Sequence, residues 1–584
     1  MTSSMRNGSE VYSRRHRRDN LLQEKYRNNN GSEELGQGDD GTVRKKGTKG
    51  NQRTTTCEDE EFANVSTWYL VVIAVVRLLA CVGWGWGILY ATYHVYMAAE
   101  RHLPFQREPD INPGIFSEQL GRGRDSSDYE WVTFSPLLWT KLIIANLTYQ
   151  LLKLLFSNYQ QIIPWISPCC SILLFWNTVG FMPTIHMMTV PVIYWHALRF
   201  RHKAWIWIIT VVLIVHISSP LVHVLFTLDN GQSENCLYIF IVASAWSLSR
   251  GVSFCMDVWD RPDNNKLSVQ SLFYFEQYVF YLPLSHCGPL ITYEHFENEI
   301  IFKKFRSKFT HNFFEIGKKI FKLLLTTVLI ELIYHYLYFR AVALTISLIS
   351  KLNIWAICGT VYWLGQIFTL KYKVLYGLPS SLAEFDGLTM YPLISCPAYI
   401  HRYSVLWKDF DRGLYTFMVK YIYCPSIQKF NSLDPSNIVP SDLKKLAASF
   451  ITFCYVFIWH STSFDVLVWT AFNFLGITFE RFGSLIKRKM DHAQKLRPIS
   501  WDFLIEPLIC VPLAGMSILN SSIFCGTYDA AEAFYNKLSS TWTARYNYHI
   551  GICFFLYCFT HVGVTVRTWV PFSKAISKRL IFNR

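Results

Sequence analysis

The sequence predicts an all-α polytopic membrane protein: a helical body of about eleven spans, with re-entrant segments around an internal chamber. Three observations carry this. Of 584 residues, 51% are apolar and 16% aromatic against 17% charged, and mean hydropathy is +0.18 although the first 65 residues are strongly polar. Apolar runs recur along the chain, many of them ~20 residues long, enough to cross a ~30 Å hydrocarbon core as helix. Two further apolar stretches are interrupted by Pro and Gly, and broken backbone at membrane depth survives only when buried in protein or lining a cavity. Length alone would give about four soluble domains; the apolar runs exclude them.

Residues 1–65 are rich in Asn, Gly, Ser, Arg and Glu and lack aliphatic periodicity. They cannot bury enough surface to offset ordering entropy, so a disordered polar tail is expected ahead of a body over 66–584. Ser13-Arg14-Arg15-His16-Arg17-Arg18 reads as a solvated basic stretch, with localisation or lipid contact as the functional alternative. The sequons at Asn7, Asn30 and Asn64 matter only in a lumenal tail. Twelve Lys/Arg in residues 1–60, against four in the 98–135 loop (Arg101, Arg107, Arg122, Arg124), favour a cytoplasmic one. No cleavable signal peptide is expected, because the first apolar run begins near Ser66.

The body reads as spans at 67–90, 136–157, 166–190, 204–226, 236–258, 317–338, 354–376, 443–460, 463–481, 503–525 and 548–570. The broken stretches are 272–293, with Pro283 and Cys287-Gly288-Pro289, and 388–400, with Pro392 and Pro397. Residues 303–322 interleave Lys303, Lys304, Arg306 and Lys308 with Phe302, Phe305 and Phe309, the pattern of an amphipathic helix on a membrane surface. A second basic loop holds Lys487, Arg488, Lys489, Lys495 and Arg497. Positive-inside anchoring explains both loops; binding of an anionic cofactor is the functional alternative.

The net charge of +14 comes mostly from the body, since residues 1–60 hold twelve basic and ten acidic side chains. Such charge suits cytoplasmic loops facing anionic lipid. No zinc or recognition-helix pattern accompanies it, so nucleic acid is not an expected partner. The fifteen cysteines include no CxxC pair and sit mostly in apolar runs, so no disulfide framework is expected.

Ionisable groups inside spans are expensive and default to functional hypotheses. His460 ends the apolar run Leu446 to Trp459 and is followed almost at once by another span. It reads either as an interhelical hydrogen-bonding contact or as a general base, since neutral imidazole accepts a proton at ambient pH. Asp411, in Trp407-Lys408-Asp409-Phe410-Asp411-Arg412-Gly413-Leu414, reads as the N-cap of a helix beginning near Arg412 or as a site carboxylate. Arg77, Glu331, His335 and His561 read as packing or pairing groups.

The ordered motifs are more specific. Phe385-Asp386-Gly387, Cys396, the block Trp407 to Tyr423, Ile458-Trp459-His460, and the block Trp469 to Glu480 resemble the membrane-bound O-acyltransferase superfamily, most closely its hedgehog acyltransferase branch. Phe280-Tyr281-Leu282-Pro283 to Gly288-Pro289 is similar to that family's broken segment, and Leu556 to Gly563 to its last span. The resemblance covers roughly 66–570. It implies a helical core around a central reaction chamber and assigns roles residue by residue. His460 matches the intramembrane histidine and Asp411 the acidic residue found where many relatives have Asn. Trp407 matches an aromatic of the acyl-CoA tunnel, Asn520 a reaction-chamber residue, and Cys396 the cysteine that ligates a haem b iron. One departure is local: the family commonly reads Trp-His-Gly, whereas this chain has Trp459-His460-Ser461, and its stretch to Trp469 is about one residue longer.

The resemblance implies transfer of palmitoyl from palmitoyl-CoA to the N-terminal cysteine amine of a secreted, Hedgehog-type signalling protein at the endoplasmic reticulum membrane, with the Golgi as the alternative location. His460 would be the general base, with Asp411 orienting the imidazole or holding the incoming ammonium. Two other readings stand beside it: O-acylation of a lipid or sterol hydroxyl or of a serine on a secreted protein, and an inactive scaffold of the same fold.

Overall fold

The computed structural model describes residues 67–102, 111–200, 202–227, 234–262, 267–302, 313–394, 402–493, 502–542 and 546–582. The tail 1–65, the basic run 303–308 and Cys396 lie outside these residues, as do the side chains of the 487–497 basic loop.

The chain is almost wholly helical, as its class predicts. α1 (Thr67–His102) leads to the one sheet among the described residues, an antiparallel ribbon. In it β1 (Ile111–Asn112) sets Ile111 opposite Asp125 of β2 (Arg124–Asp125). α2 (Tyr129–Pro136) is capped by Asp128, which accepts from the Trp131 amide at 3.1 Å, and runs through a π turn at Leu137–Leu142 into α3 (Ile143–Leu155). α4 (Ile163–Val179) stops at Gly180, whose φ of 95° suits only glycine, and α5 (Phe181–Ala197) starts at the next residue. α6 (Ala204–Ile217) and α7 (Glu234–Val258) follow.

The second half holds α8 (Val269–Val279), α9 (Phe313–Tyr336), α10 (Ile354–Phe385), α11 (Tyr403–Phe410), α12 (Arg412–Met418) and α13 (Cys424–Leu433). α14 (Ser441–His460), α15 (Phe464–Ala493), α16 (Asp502–Cys525), α17 (Tyr528–Trp542) and α18 (Tyr546–Phe582) complete it. α10 is the organising element. Asn353 caps its start, accepting from the Ala356 amide at 2.8 Å, and its 32 residues pack on α1, α9 and α16. α16 in turn packs on α15 and α18.

Four helices among the described residues have the length and hydropathy to cross a bilayer: Val71–His102, Glu234–Val258, Leu504–Cys525 and Asn547–Val566. Each of the about eleven expected spans falls on one or two helices, and there are physical reasons why only some are both long and apolar enough to meet that criterion. The 166–190 span is two helices broken at Gly180, and the 136–157 span contains the π turn. Helices facing the interior also carry charge, such as Lys371 in α10 and Lys444 in α14, which lowers their hydropathy. The apolar window of α1 is 6% buried and that of α7 78%, so α1 is peripheral and α7 central. Leu78, Leu79, Leu147, Leu154, Leu508 and Ile509 are each at least 60% exposed, an apolar exterior suited to lipid.

The broken stretch at 272–293 is confirmed as irregular and buried. α8 ends at Val279, Leu282–Leu284 makes one 3-10 turn around Pro283, and the chain continues through a cis Gly288–Pro289 bond to Thr292. Every residue from 277 to 293 is buried. The 388–394 part of the second broken stretch is non-helical. The expected surface helix at 303–322 is corrected in its described part: residues from Phe313 onward begin the long helix α9, where Lys319 pairs with Glu384 at 2.5 Å.

Arg250 of α7, 1% exposed, clamps the first break. Its guanidinium donates to the carbonyl oxygens of Val279, at 3.2 Å, and Leu284. These carbonyls end a helix and a turn, where a cation is favourable. Arg250→Met is expected to strand both carbonyls at roughly 1–3 kcal/mol each, read as a clear fall in melting temperature in detergent.

Candidate active site

α14 presents its last residue, His460, to the interior. The helix ends because Ser461 is extended, at φ 174°, with its amide donating to the Phe457 carbonyl at 3.1 Å. That φ is open to any residue, so the departure from Trp-His-Gly demands no glycine here. The His460 ring is packed at near right angles to three aromatics, with centroids 4.6 Å away for Trp459 and 5.3 Å for both Trp469 and Phe524. Trp469 and Phe524 are themselves stacked at 4.2 Å. No hydrogen bond holds the imidazole among the described residues, so its orientation comes from packing.

Asp411 takes the capping role foreseen for it. Its carboxylate caps α12, accepting from the Leu414 amide at 2.8 Å. It also lines the interior cavity, where the Tyr376 hydroxyl faces it. It has no cationic partner among the described residues; neighbouring Arg412 pairs with Asp409 at 3.0 Å. Asp411 and His460 are not hydrogen bonded to each other.

Trp407 and Asn520 meet through a residue that the sequence reading missed. The Trp407 indole donates to Asn473 Oδ1 at 3.0 Å, and Asn473 Nδ2 donates to the Trp469 carbonyl at 2.8 Å. Asn520 Nδ2 donates to the same carbonyl at 3.3 Å. A carbonyl only accepts, which fixes both amide orientations. Asn520 is 4% exposed and its Oδ1 has no partner among the described residues. The available signal for Asn473 was its place four residues after Trp469, one helical turn along the same face.

One cavity of about 570 Å³ collects these groups. That size lies within the ~300–1,000 Å³ range of ligand pockets. His460, Asp411, Trp407 and Asn520 all line it, with an otherwise largely apolar and aromatic wall. Its charged lining is three carboxylates, Asp128, Glu130 and Asp411, against two cations, Arg340 and Lys371. Lys371 Nζ lies 3.0 Å from Asp128 Oδ1 and 2.8 Å from Glu130 Oε2. This ionic group was also missed, although a lysine inside an apolar span was itself a signal.

The remaining intramembrane groups pair or pack. Glu331 binds Arg124 at 2.9 Å and the Trp131 indole at 2.8 Å, and His335 Nδ1 lies 2.7 Å from the Glu331 carbonyl. Cys396, to which the resemblance assigns haem iron, lies outside the described residues. Among the described residues, no group of three or more His, Cys, Asp or Glu is placed to hold a metal ion.

The chain is 24% identical over 508 residues to the protein-cysteine N-palmitoyltransferase HHAT of Mus musculus, a match covering 83% of this chain and 96% of that protein. It is 28% identical over 281 residues to the protein-cysteine N-palmitoyltransferase Rasp of Drosophila melanogaster, covering 48% and 52%. It is 21% identical over 490 residues to the membrane-bound O-acyltransferase gup1 of Schizosaccharomyces pombe, covering 75% and 78%. The model of the MBOAT, membrane-bound O-acyltransferase, family matches residues 131–511, about two thirds of the chain, and takes in His460, Asp411 and Trp407. With an apolar exterior, an interior cavity and this match, the chain belongs to the membrane-bound O-acyltransferase family.

Proposed function

We propose that the protein transfers palmitoyl from palmitoyl-CoA to the α-amino group of an N-terminal cysteine on a secreted, Hedgehog-type protein, in the endoplasmic reticulum membrane. The observation that carries this reading is the shared cavity: His460, an aromatic wall and one carboxylate, Asp411, that no cation among the described residues neutralises. An α-amino group has a pKa of ~7.7–8.0, so it arrives largely as ammonium. Asp411 attracts that cation. Because Asp411 and His460 are not hydrogen bonded, ammonium docking is favoured over imidazole orientation as the carboxylate's role. His460 then takes a proton, directly or through water, and the free amine attacks the thioester carbonyl. Trp407 and the apolar wall hold the acyl chain, whose length is selected at ~0.8 kcal/mol per buried CH₂. Asn520, with its free Oδ1, accepts from the amine. The donor enters from the cytosolic face and the acceptor from the lumen, and they meet in the chamber.

The similarity to gup1 supports a second reading, a hydroxyl acceptor. Purified protein with palmitoyl-CoA, an N-terminal-cysteine peptide and a lipid alcohol decides between them by mass spectrometry. N-acylated peptide is the expected product; acylated lipid without acylated peptide would overturn the assignment. Asp411→Asn refines it. Asn also caps helices well, so the fold is retained while the charge is lost. The expected result is a KM for peptide raised roughly tenfold, about 1.4 kcal/mol, with KM for palmitoyl-CoA unchanged.

A further inference from the structure

The proposed reaction leaves a proton behind, and this inference rests on that reading. The incoming ammonium gives up two protons as the N–C bond forms. The C–S bond breaks, and the departing sulfur takes one proton. One proton per turnover must therefore leave the chamber. His460 has no hydrogen-bonded neighbour among the described residues through which to discharge it.

The face of α10 supplies a route. Tyr372 and Tyr376 stand one helical turn apart, with ring centroids 5.1 Å apart at 85°. Tyr376 faces the Asp411 carboxyl. Tyr372 donates from its hydroxyl to Glu130 Oε1 at 2.8 Å. All four side chains line the cavity. Glu130 retains 16% of its side-chain exposure, and the adjacent Tyr129, which also lines the cavity, is 38% exposed, so the row ends at an accessible part of the cavity at the start of α2. We infer that Asp411, Tyr376, Tyr372 and Glu130 form a proton exit track, in which Asp411 receives the proton from His460 through cavity water, the two phenols pass it on with cavity water between them, and Glu130 releases it. Polar chains of this kind inside membranes mark proton relays. Lys371, held by Glu130 Oε2, keeps the outer carboxylate in place without occupying the oxygen that Tyr372 uses.

The test uses purified full-length protein in lipid nanodiscs with palmitoyl-CoA and an N-terminal-cysteine peptide. Glu130→Gln and Tyr372→Phe are each expected to lower kcat about tenfold, with both KM values unchanged and a larger solvent deuterium isotope effect. Imidazole or acetate at tens of millimolar should restore at least half of the lost rate, an effect that a packing defect would not show. Tyr372→Phe keeps the buried ring, so it serves if Glu130→Gln does not fold. Wild-type rates in Tyr372→Phe, or losses that no small buffer rescues, would overturn the track alone. No N-acylated peptide from the wild-type protein would overturn the reading beneath it as well.

Discussion

His460→Ala is expected to lower acyl transfer by ~10²–10⁴-fold, the usual worth of a positioned general base. The same protein should elute and melt like wild type. The imidazole ends α14, makes no hydrogen bond among the described residues, and already borders open space, so truncating it adds volume to an existing cavity. The three rings around it, Trp459, Trp469 and Phe524, keep their own contacts, including the 4.2 Å stack of the last two. The measurement is the initial rate of N-acylated peptide at saturating palmitoyl-CoA. A variant as fast as wild type would remove His460 as the base.

Gly413→Ala is expected to be nearly as severe, by another mechanism. Gly413 lies two residues beyond Asp411, and a Cβ there would run into the backbone carbonyl of Leu290 in the buried broken segment. Neither partner is a side chain that can swing away, so α12 and its capping carboxylate must move. Displacement of a docking group by about 1 Å costs roughly 10²-fold in rate. Activity and melting temperature should therefore fall together. Gly483→Ala is the control: it lies within α15 with nothing near its would-be Cβ. Replacing an open helical glycine gains up to ~1 kcal/mol, so full activity with equal or higher stability is expected.

Much of this site was legible in the sequence because its parts carry local signals. An apolar run ending in Trp459-His460, a Pro/Gly-broken stretch and an aspartate ahead of Arg412 each point to a position and a chemistry without knowledge of the fold. Their order along the chain pointed to the family. What stayed hidden depends on distant partners. Lys371 and Asp128 are 243 positions apart, and only the packing of α10 against the start of α2 brings them together. Asn473 looks like any polar residue on a helix until Trp407 approaches from α11. Hydropathy, for its part, cannot tell a charge facing an interior cavity from one facing water.

The length of α10 has a consequence of its own. Thirty-two residues at ~1.5 Å each give a rod of ~48 Å, well beyond a ~30 Å hydrocarbon layer. Such a rod must incline, protrude or locally thicken the lipid around it. Because Lys371, Tyr372 and Tyr376 ride on it, any change in its tilt carries with it the part of the cavity wall they form.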